Sequence, residues 1–532
     1  MLKVNIKKER KMKKTIAIVL MALCTFALFA QGGSDAKSST GDGLTHITML
    51  YNATQTEAGP LPNDWVGYDI LKNELGIELE ASSLPSSSTD QDSKIQALAA
   101  ADNLPDFFVA NREVWLRLAQ QGMLADVTDL YDDMPNRTAL MFDADAIAFT
   151  TLDDGRSYGL GTPSIITRNE GLVIRKDWLD NLGLEVPTTT EELLEVLRAF
   201  TYDDPDGNGK NDTYGYGAFV EETTYEAYPG RRFEPLMGAF GVEGTWNLSK
   251  DNAGLQILKP EFYDFMVYLK KIIDEGLIDP NWMAYKKDDF RAAWKQGKFG
   301  VWREQNAALH AQNNYTPFDT NFPNGEIIVI DPPVGPTGKS SVGPAVRGLR
   351  IWCISAAAQE EGKAEKIAQM FEWMSHGEGY LLCGWGQEGI NYVMGENGIP
   401  VSTDTELGFE KAKGQQYIQL RSMAFNYASD TELLSRYPVY KAPVSGKEMS
   451  ALWTLRDMQS RKWTAANGAD SMPVPSNDLK TYYQQGLAEF LAGKNELTPS
   501  NWAKFIEQLK NMGATEWEQK GIEYAKANSY LR

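Results

Sequence analysis

The residues whose spacing most clearly indicates chemistry lie in one acidic segment, Asp203–Thr213. The side chains with oxygen atoms at positions 1, 3, 5 and 9 of a calcium loop are Asp204, Asp206, Asn208 and Asp212. Position 6 is Gly209, where the backbone must turn sharply, and position 7 is Lys210, which needs to supply only its carbonyl oxygen. Because alternate residues of a tight loop bring several oxygens to one hard cation, the segment predicts a structural Ca²⁺ site.

The loop departs from a complete EF-hand in two places. Position 12, a bidentate Glu in an EF-hand, is Gly215, and the segment Tyr214–Gly217 does not have the pattern of an exiting helix. The alternative interpretation is a solvated turn of Asp, Asn and Gly residues that binds no ion. The loop therefore indicates a kind of turn and does not indicate what the protein does.

Length and charge limit the classes of function. The chain has 532 residues, which exceeds one ordinary domain and favours two to four units of about 150 residues each. Its 14 Trp and 23 Tyr residues allow a large core. The net charge of −20 argues against nucleic acid as a partner, because the phosphate backbone requires a basic face.

The N-terminus has the pattern of an export signal. Basic residues precede the apolar run Thr15–Phe29, which is short for a membrane span, and Ala30 offers a small residue for cleavage. We expect cleavage after Ala30, a flexible tether over 31–43 and a soluble protein in the periplasm. The alternative is a cell-surface lipoprotein anchored through Cys24, although the bulky Leu23 before it is unlike a lipobox.

Cysteine and histidine are too few and too dispersed for a zinc site. No Cys-x-x-Cys or His-x₃₋₅-His spacing occurs in the chain. After export only Cys353 and Cys383 would remain. Two buried free thiols and one disulfide are both compatible with the sequence, because export implies an oxidising compartment.

Strand and helix patterns alternate along the chain, which predicts an α/β fold with a largely parallel sheet. The first lobe has predicted strands at Thr45–Tyr51, Ile77–Ala81 and Asp106–Val109, with helices at Asp64–Leu75 and Asp92–Ala101. Ligands of such sheets bind at the carboxyl ends of strands, where Tyr51, Asn52 and Asn111 are located. A capping box at Thr188 and Glu191, or at Thr189 and Glu192, begins the helix that leads into the acidic loop.

The order of several short segments resembles the extracellular solute-binding proteins of carbohydrate ABC transporters (family 1), in the branch with lipoprotein-like and alginate-binding members. The segments that carry the resemblance are Leu98–Asp106, Ile174–Leu184 with Val186–Thr189, the acidic loop, Glu275–Pro280 and Gly386–Tyr392. The resemblance implies two α/β lobes joined by a hinge, with an oligosaccharide in the cleft between them. It also implies ABC permease subunits as partners.

The resemblance carries two further expectations about this chain. It implies structural Ca²⁺ bound by Asp204, Asp206, Asn208, Lys210 and Asp212, although some relatives have an acidic residue where this chain has Thr213. It also implies that the chain crosses between the lobes, near Pro163–Ile166, Asp331–Pro336 and His376-Gly377. We therefore expect lobe 1 over 44–165 and 336–376, and lobe 2 over 166–335 and 377–532.

Recognition of a sugar requires aromatic faces for its C–H groups and amides, carboxylates or guanidinium groups for its hydroxyls. Residues of these types at strand ends or in glycine-rich loops are the candidate ligand-binding residues. They are Tyr51, Asn52, Asn111, Tyr158, Trp302, Arg303, Glu304, Trp385, Glu388 and Tyr392. Core packing is the alternative role for each Trp, and a surface ion pair is the alternative for Arg303.

The identity of the ligand stays open at this level. Five arginines would suit a uronate by bidentate pairing, and they are Arg168, Arg231, Arg232, Arg303 and Arg347. The acidity of the whole chain favours a neutral sugar instead. Two other functions stay open, a binding protein for a peptide or another non-sugar solute, and a secreted polysaccharide-degrading enzyme. No motif selects a catalytic carboxylate pair, so we expect a binding protein and not an enzyme. We also expect this binding protein to be a monomer.

Overall fold

The computed structural model describes residues 43–53, 58–85, 87–141, 144–163, 168–221, 227–343, 349–396, 398–403, 415–424, 432–433, 435, 437–464 and 472–531. One compact unit spans Ile47–Arg532. Of the other unit, Met1–His46, only residues 43–46 are described, so the predicted export signal, the tether and Cys24 lie outside the described residues. Within the described ranges, no helix has the length and apolar character needed to cross a membrane.

Strands and helices alternate over much of the chain. The strands are β1 Thr45–Tyr51, β2 Ile77–Ser83, β3 Phe107–Ala110, β4 Leu160–Pro163, β5 Glu170–Arg175, β6 Tyr214–Gly217, β7 Trp246–Asn247, β8 Gly254–Leu255, β9 Phe299–Gln305, β10 Ile327–Val329, β11 Leu349–Ile354, β12 Tyr392–Met394, β13 Pro400–Ser402, β14 Tyr440–Lys441 and β15 Glu448–Met449. The helices are α1 Gly67–Leu75, α2 Ser88–Ala100, α3 Arg112–Gln120, α4 Pro135–Met141, α5 Ala144–Phe149, α6 Lys176–Leu182, α7 Thr190–Tyr202, α8 Glu234–Ala239, α9 Pro260–Asp274, α10 Lys287–Lys295, α11 Asn306–His310, α12 Gln312–Asn321, α13 Ala356–Glu360, α14 Ala364–Trp373, α15 Gly377–Trp385, α16 Arg421–Ala424, α17 Ala451–Ser460, α18 Asn477–Leu491, α19 Pro499–Leu509 and α20 Thr515–Ala527.

The first sheet has five strands in the order β2-β1-β3-β11-β4. Strands β1 and β3 are parallel, whereas β11 runs antiparallel to both β3 and β4. All four residues of β3 are buried, as expected for a central strand covered on both faces. The α/β prediction is confirmed, and the antiparallel β11 makes this sheet mixed.

The second sheet has four strands in the order β10-β5-β9-β6. Strand β6 is parallel to β9, with Gly217 opposite Trp302, and β5 is antiparallel to β9, with Glu170 opposite Gln305. The beginning of β5 therefore lies at the same edge of the sheet as the ends of β6 and β9. This edge corresponds to the carboxyl ends at which α/β sheets bind ligands.

The two sheets have separate hydrophobic cores. The first core contains β1, β3 and β11 residues and extends to Leu382, Cys383 and Met423. The second core contains β5 and α7 residues together with α18 and α19. The chain therefore contributes to the first core beyond the predicted crossing near His376-Gly377, and we propose that it returns to the second half after Ala424. The predicted crossing near Pro163–Ile166 falls largely on residues that the structure does not describe.

Several local predictions have a clear structural outcome. Helix α7 has the capping box in its second predicted form, with Thr189 accepting from the Glu192 N–H and Glu192 accepting in return. Cys353 and Cys383 are buried free thiols, so the disulfide alternative is not adopted.

Trp302 occupies the interior of the protein. Its side chain is 0% exposed, and its ring stacks on Trp294 with centroids 5.5 Å apart and an interplanar angle of 22°. Because β9 alternates its side chains across the sheet, the ring points into the core formed with α10 and α12. Stacking of Trp302 on a sugar ring therefore has no support in this structure.

We predict that Trp302→Ala lowers the free energy of unfolding by about 3–5 kcal/mol, because the change leaves a large cavity against Trp294. Chemical denaturation of the purified variant would measure this loss. Trp453→Ala on α17 is the matched control, since Trp453 is 50% exposed and its removal should change stability by less than about 0.5 kcal/mol. Equal losses in the two variants would contradict the core position of Trp302.

Candidate functional site

Two asparagines follow the carboxyl ends of β1 and β3 in the first sheet, the edge that we call ligand-facing because α/β sheets bind ligands at such ends. Asn52 follows β1, and its Oδ1 atom is buried without a hydrogen-bond partner among the described residues. Asn111 follows β3, and its Oδ1 accepts from the Val114 N–H at 2.9 Å, so Asn111 is the N-cap of α3. The other end of its amide donates to Asp92 Oδ2 at 2.5 Å. Asn52 thus has a buried acceptor to offer, whereas both polar atoms of Asn111 are already engaged.

The electrostatic environment of Asp92 follows from this packing. The pKa of the Asp92 carboxyl is raised to about 6, mainly by partial burial and in part by the neighbouring Glu113. The Asn111 amide, Lys480 and Arg117 oppose this shift of the pKa. The site edge therefore holds a carboxyl group that changes protonation just below neutral pH.

The two predicted tyrosines of the first sheet differ in position. Tyr51 is buried in the first core, and its hydroxyl oxygen accepts from the Leu61 N–H at 2.7 Å. Tyr158 precedes β4, and the register of β4, β11 and β3 places it towards the amino-terminal end of β3, away from Asn111. Its hydroxyl donates to Asp154 at 2.7 Å in an exposed turn. The structure therefore does not bring Tyr158 together with Asn52 and Asn111.

The corresponding edge of the second sheet is occupied by ionisable side chains. The members of this edge network are Glu170, Glu221, Arg231, Arg232, Glu234, Arg291, Arg303 and Glu304. Arg303 Nη1 lies 2.7 Å from Glu234 Oε2 and 3.3 Å from Glu170 Oε2. Arg232 pairs with Glu221 at 3.1 Å and with Glu304 at 3.4 Å. Two predicted ligand-binding residues, Arg303 and Glu304, thus belong to a paired set inside the protein.

Burial and charge act in opposite directions on the carboxylates of the edge network. Burial would raise the pKa of Glu170, but Arg232, Arg231 and Arg303 together hold the pKa well below its usual range. For Glu234, burial raises the pKa to about 7, and the contact with Arg303 opposes the shift. Removing one member would leave a buried charge without its partner, which is strongly destabilising.

The edge network contains four arginines and four glutamates, so it is neutral in total when all members are ionised. Three of the five arginines suggested for a uronate, Arg231, Arg232 and Arg303, are paired with these glutamates. Arg168 is exposed, and Arg347 lies outside the described residues. A ligand carboxylate would therefore compete with existing pairs at this edge.

Three residues near the two edges were missed by sequence reasoning. Trp463 is half-buried, and its ring lies 5.9 Å from the Arg303 guanidinium. Lys480 on α18 contacts Glu113 on α3 at 2.7 Å, and the hydroxyl of Tyr483, one turn later, accepts from the Tyr228 N–H at 3.1 Å. No sequence motif marks these residues, because each reaches the site from a segment far along the chain.

The glycine-rich segment forms a small separate cluster. Trp385 and Tyr392 pack together, both nearly fully buried, and Trp385 Nε1 donates to Glu432 Oε1 at 3.2 Å. Glu388 is exposed and forms an isolated β-bridge with Tyr392. The roles of these three residues in ligand binding stay a prediction.

The acidic loop is closed on itself by hydrogen bonds. Asp204 accepts from the backbone N–H groups of Asn208 and Gly209, each at 3.0 Å, and has a positive φ of 49°. The Asn208 amide donates to Asp206 at 2.8 Å and to Asp212 at 3.2 Å. The loop side chains therefore converge on Asn208, at the end of α7 and before β6.

Neither position 12 nor position 10 of the calcium-loop pattern offers a carboxylate as a metal ligand. A Cβ atom at Gly215 would lie 2.4 Å from the Leu197 carbonyl oxygen, so no side chain fits at position 12. The Thr213 hydroxyl is buried and donates to the Phe200 carbonyl oxygen at 2.8 Å. In the part of the chain that is described, no set of three or more His, Cys, Asp or Glu side chains is arranged to hold a metal ion.

Comparison with known proteins identifies the family. A model of the bacterial extracellular solute-binding protein family matches residues 55–375, more than half of the chain. The chain belongs to this family. Two curated relatives come from Bacillus subtilis. The polygalacturonan/rhamnogalacturonan-binding protein YtcQ is 28% identical over 94% of this chain and 96% of its own length, and the lipoprotein LipO is 24% identical over 73% and 75%.

Solved structures share the fold of this solute-binding protein. The substrate-binding protein FusA of Streptococcus pneumoniae in complex with kestose has a TM-score of 0.68 at 19% identity, and the match covers 92% of this chain and all of FusA. An EF-hand mutant of FusA in complex with fructo-nystose has a TM-score of 0.67 at 19% identity, with coverage of 92% and 100%. The periplasmic-binding-protein-like architecture predicted from the sequence is therefore confirmed.

The Asp92 carboxyl should make the stability of this solute-binding protein depend on pH. Its pKa is about 6 in the folded protein and near 3.8 in an unfolded chain, so the folded state binds the additional proton between these values. The free energy of unfolding should fall as pH rises through this interval. We predict that Asp92→Asn stabilises the protein at pH 7.5 relative to the parent and has little effect at pH 4, as measured by chemical denaturation.

The control for this prediction is Asp251→Asn in an exposed turn. Its free energy of unfolding should differ from that of the parent by the same small amount at both pH values. The asparagine introduced at position 92 keeps an oxygen that can accept from Asn111, so the variant changes the charge and preserves the acceptor. A pH-independent difference for Asp92→Asn would contradict the raised pKa.

Proposed function

We propose that this protein is the substrate-binding component of an ABC importer, which captures an oligosaccharide outside the membrane and delivers it to the permease by closure of two lobes. Membership in the extracellular solute-binding protein family supports the binding role. The two sheets with separate cores support two lobes, since each core can move as a unit. A ligand that contacts both lobes favours the closed state by its difference in affinity for the two states.

The observation that carries the proposal is the half-buried Trp463 at the ligand-facing edge of the second sheet. Its backbone neighbours pair with the Val342–Gly343 segment, since the Val342 N–H donates to Lys462 and the Thr464 N–H to Gly343. The indole is therefore held in place beside Arg303 while part of it remains accessible. A fixed aromatic face with buried polar neighbours suits the C–H face of a sugar ring.

The class of ligand is supported by the relatives. YtcQ is named for polygalacturonan and rhamnogalacturonan, and FusA for fructooligosaccharide. We propose an oligosaccharide. Polygalacturonan carries carboxylates and a fructooligosaccharide does not. Because the arginines of the edge network already have glutamate partners, the network favours recognition of a ligand through hydroxyl groups over binding of a ligand carboxylate. The relatives give no support to a peptide ligand or to a polysaccharide-degrading activity.

We also propose that the acidic loop binds structural Ca²⁺. Asp204, Asp206, Asn208 and Asp212 supply side-chain oxygens and Lys210 a carbonyl oxygen, which fits the preference of this ion for oxygen donors. Burial raises the pKa of Asp206, and the carboxylates of Asp212 and Asp204 contribute to the shift. A bound divalent cation would offset this repulsion. The EF-hand named for FusA supports the proposal by analogy.

We infer that the mature protein acts outside the inner membrane. The extracellular family and the lipoprotein relative LipO support export. Two mature forms are alternatives. Cleavage after Ala30 would release a soluble protein, whereas lipidation at Cys24 would retain the protein on the cell surface. We retain the soluble periplasmic monomer as the proposed form.

The ligand proposal is tested by thermal-shift measurements against neutral fructooligosaccharides and oligogalacturonides. Binding to the folded state alone raises the melting temperature. With the oligosaccharide that gives the largest shift, Trp463→Ala should weaken binding by about 1–3 kcal/mol, as expected for loss of a ring that covers a sugar. Trp453→Ala is the control and should bind with the affinity of the parent. If the Trp463→Ala protein binds with full affinity, Trp463 is not part of the ligand site. If no sugar shifts the melting temperature of the parent protein, the proposed binding of an oligosaccharide is contradicted.

The calcium proposal is tested by melting the protein with Ca²⁺ and with a chelator. Calcium should raise the melting temperature, because it binds only the folded loop. Asp204→Ala combined with Asp206→Ala should abolish the response, whereas Asp251→Asn should retain it. Identical melting of the parent protein in calcium and in chelator would refute the structural site.

A further inference from the structure

A salt bridge connects two helices that belong to different cores. Lys480 Nζ lies 2.7 Å from Glu113 Oε1, and the two residues are 367 positions apart. Glu113 is in the first turn of α3, and Lys480 is in the first turn of α18. Both side chains are about 30% exposed, so the pair is neither fully solvated nor fully buried.

The helices that carry the pair are fixed in their own halves of the protein. Val114 and Trp115 anchor α3 in the first core, whereas Leu479 and Leu487 anchor α18 in the second core. A change in the relative position of the two cores would therefore separate Glu113 from Lys480. The salt bridge can form only when the two halves are close.

The pair lies beside the ligand-facing edges of both sheets. Helix α3 begins directly after Asn111, at the carboxyl end of β3. On α18, Tyr483 is three residues after Lys480 and therefore on the same face of the helix, where it contacts Tyr228 ahead of the edge network. Contact between the two edges is what closure of a cleft at these edges requires.

The charges around the pair favour the contact. Lys480 faces two carboxylates, Glu113 and Asp92, and the second carboxylate is held in place by Asn111. Arg117, a cation on α3 of the first half, donates to Gln96 at 3.0 Å. Lys480 of the second half therefore places a positive charge beside two carboxylates of the first half.

We propose that Glu113 and Lys480 form an ionic latch that stabilises the closed arrangement of the two halves. A partly exposed ion pair contributes modestly to stability, which suits a contact that must form and break repeatedly. The latch needs no ligand, so it sets how often the unliganded protein closes. This role goes beyond the proposed function. Salt should weaken it, since mobile ions screen charges that water can reach.

The latch is tested by single-molecule energy transfer between dyes on the two helices, without ligand. Gln120→Cys on α3 and Thr481→Cys on α18 place thiols at exposed positions. Cys353 and Cys383 are buried and should label slowly, because burial raises the pKa of both thiols and the thiolate is the reactive form. The measurement gives the ratio of closed to open molecules in a chain that retains its native core.

We expect Lys480→Met and Glu113→Gln each to lower the ratio of closed to open molecules by roughly two- to fivefold. The exchanged pair Glu113→Lys with Lys480→Glu should restore part of the loss. Raising NaCl from about 20 mM to about 500 mM should lower the ratio in the parent and not in Lys480→Met. Lys504→Met at an exposed position of α19 is the control and should leave the ratio unchanged.

The proposal is overturned if Lys480→Met leaves the ratio of closed to open molecules unchanged. It is also overturned if both single variants lower the ratio and the exchanged pair restores none of it, because the effect would then not depend on the attraction between the two charges. Neither result bears on whether the protein binds an oligosaccharide, so failure of the latch and failure of the proposed function are distinguishable.

Discussion

Four arginines and four glutamates form a connected set of ion pairs at one edge of the second sheet, and several elements of the protein come together to supply them. Strand β9 supplies Arg303 and Glu304, β5 supplies Glu170, and the turn before α8 supplies Arg231 and Arg232. A buried ion pair is tolerated only when its geometry is good and its partners are all present. The edge network therefore holds these elements in fixed relative positions and forms the polar base of the proposed ligand site.

This constraint also affects the proposed ligand. Arginines that already have glutamate partners are poor candidates for bidentate capture of a uronate, because the ligand would first have to displace a buried carboxylate. Hydroxyl groups can instead share hydrogen bonds with a charged network without adding net charge. The half-buried Trp463 beside Arg303 provides the apolar face that a sugar needs next to such polar groups.

The acidic loop and the salt bridge between α3 and α18 act at different places. The loop lies between α7 and β6, so an ion bound there would stabilise the second half of the protein without contacting the ligand-facing edge. The Glu113–Lys480 pair links the two halves directly and lies beside Asn111 at the edge of the first sheet. We therefore propose that the acidic loop affects the stability of the protein, whereas the Glu113–Lys480 pair affects the balance between its open and closed states.

The sequence by itself determined the positions of the main strands, the capping box of α7 and the spacing of the acidic loop. These features depend on local patterns, since an apolar run such as Phe107–Ala110 must be buried and a Thr-x-x-Glu segment can cap a helix wherever it occurs. The resemblance to solute-binding proteins followed from the order of such local segments, and the family was confirmed by comparison.

Only the tertiary structure decided which side chains lie at the edge proposed to bind the ligand. Trp302 and Arg303 are neighbours in sequence, yet one packs on Trp294 in the core and the other pairs with Glu234, because successive residues of a strand point to opposite faces. Trp463 and Lys480 reach the edges from segments far along the chain, and no local pattern encodes that contact. Their placement results from packing of the two cores, which sequence periodicity does not specify.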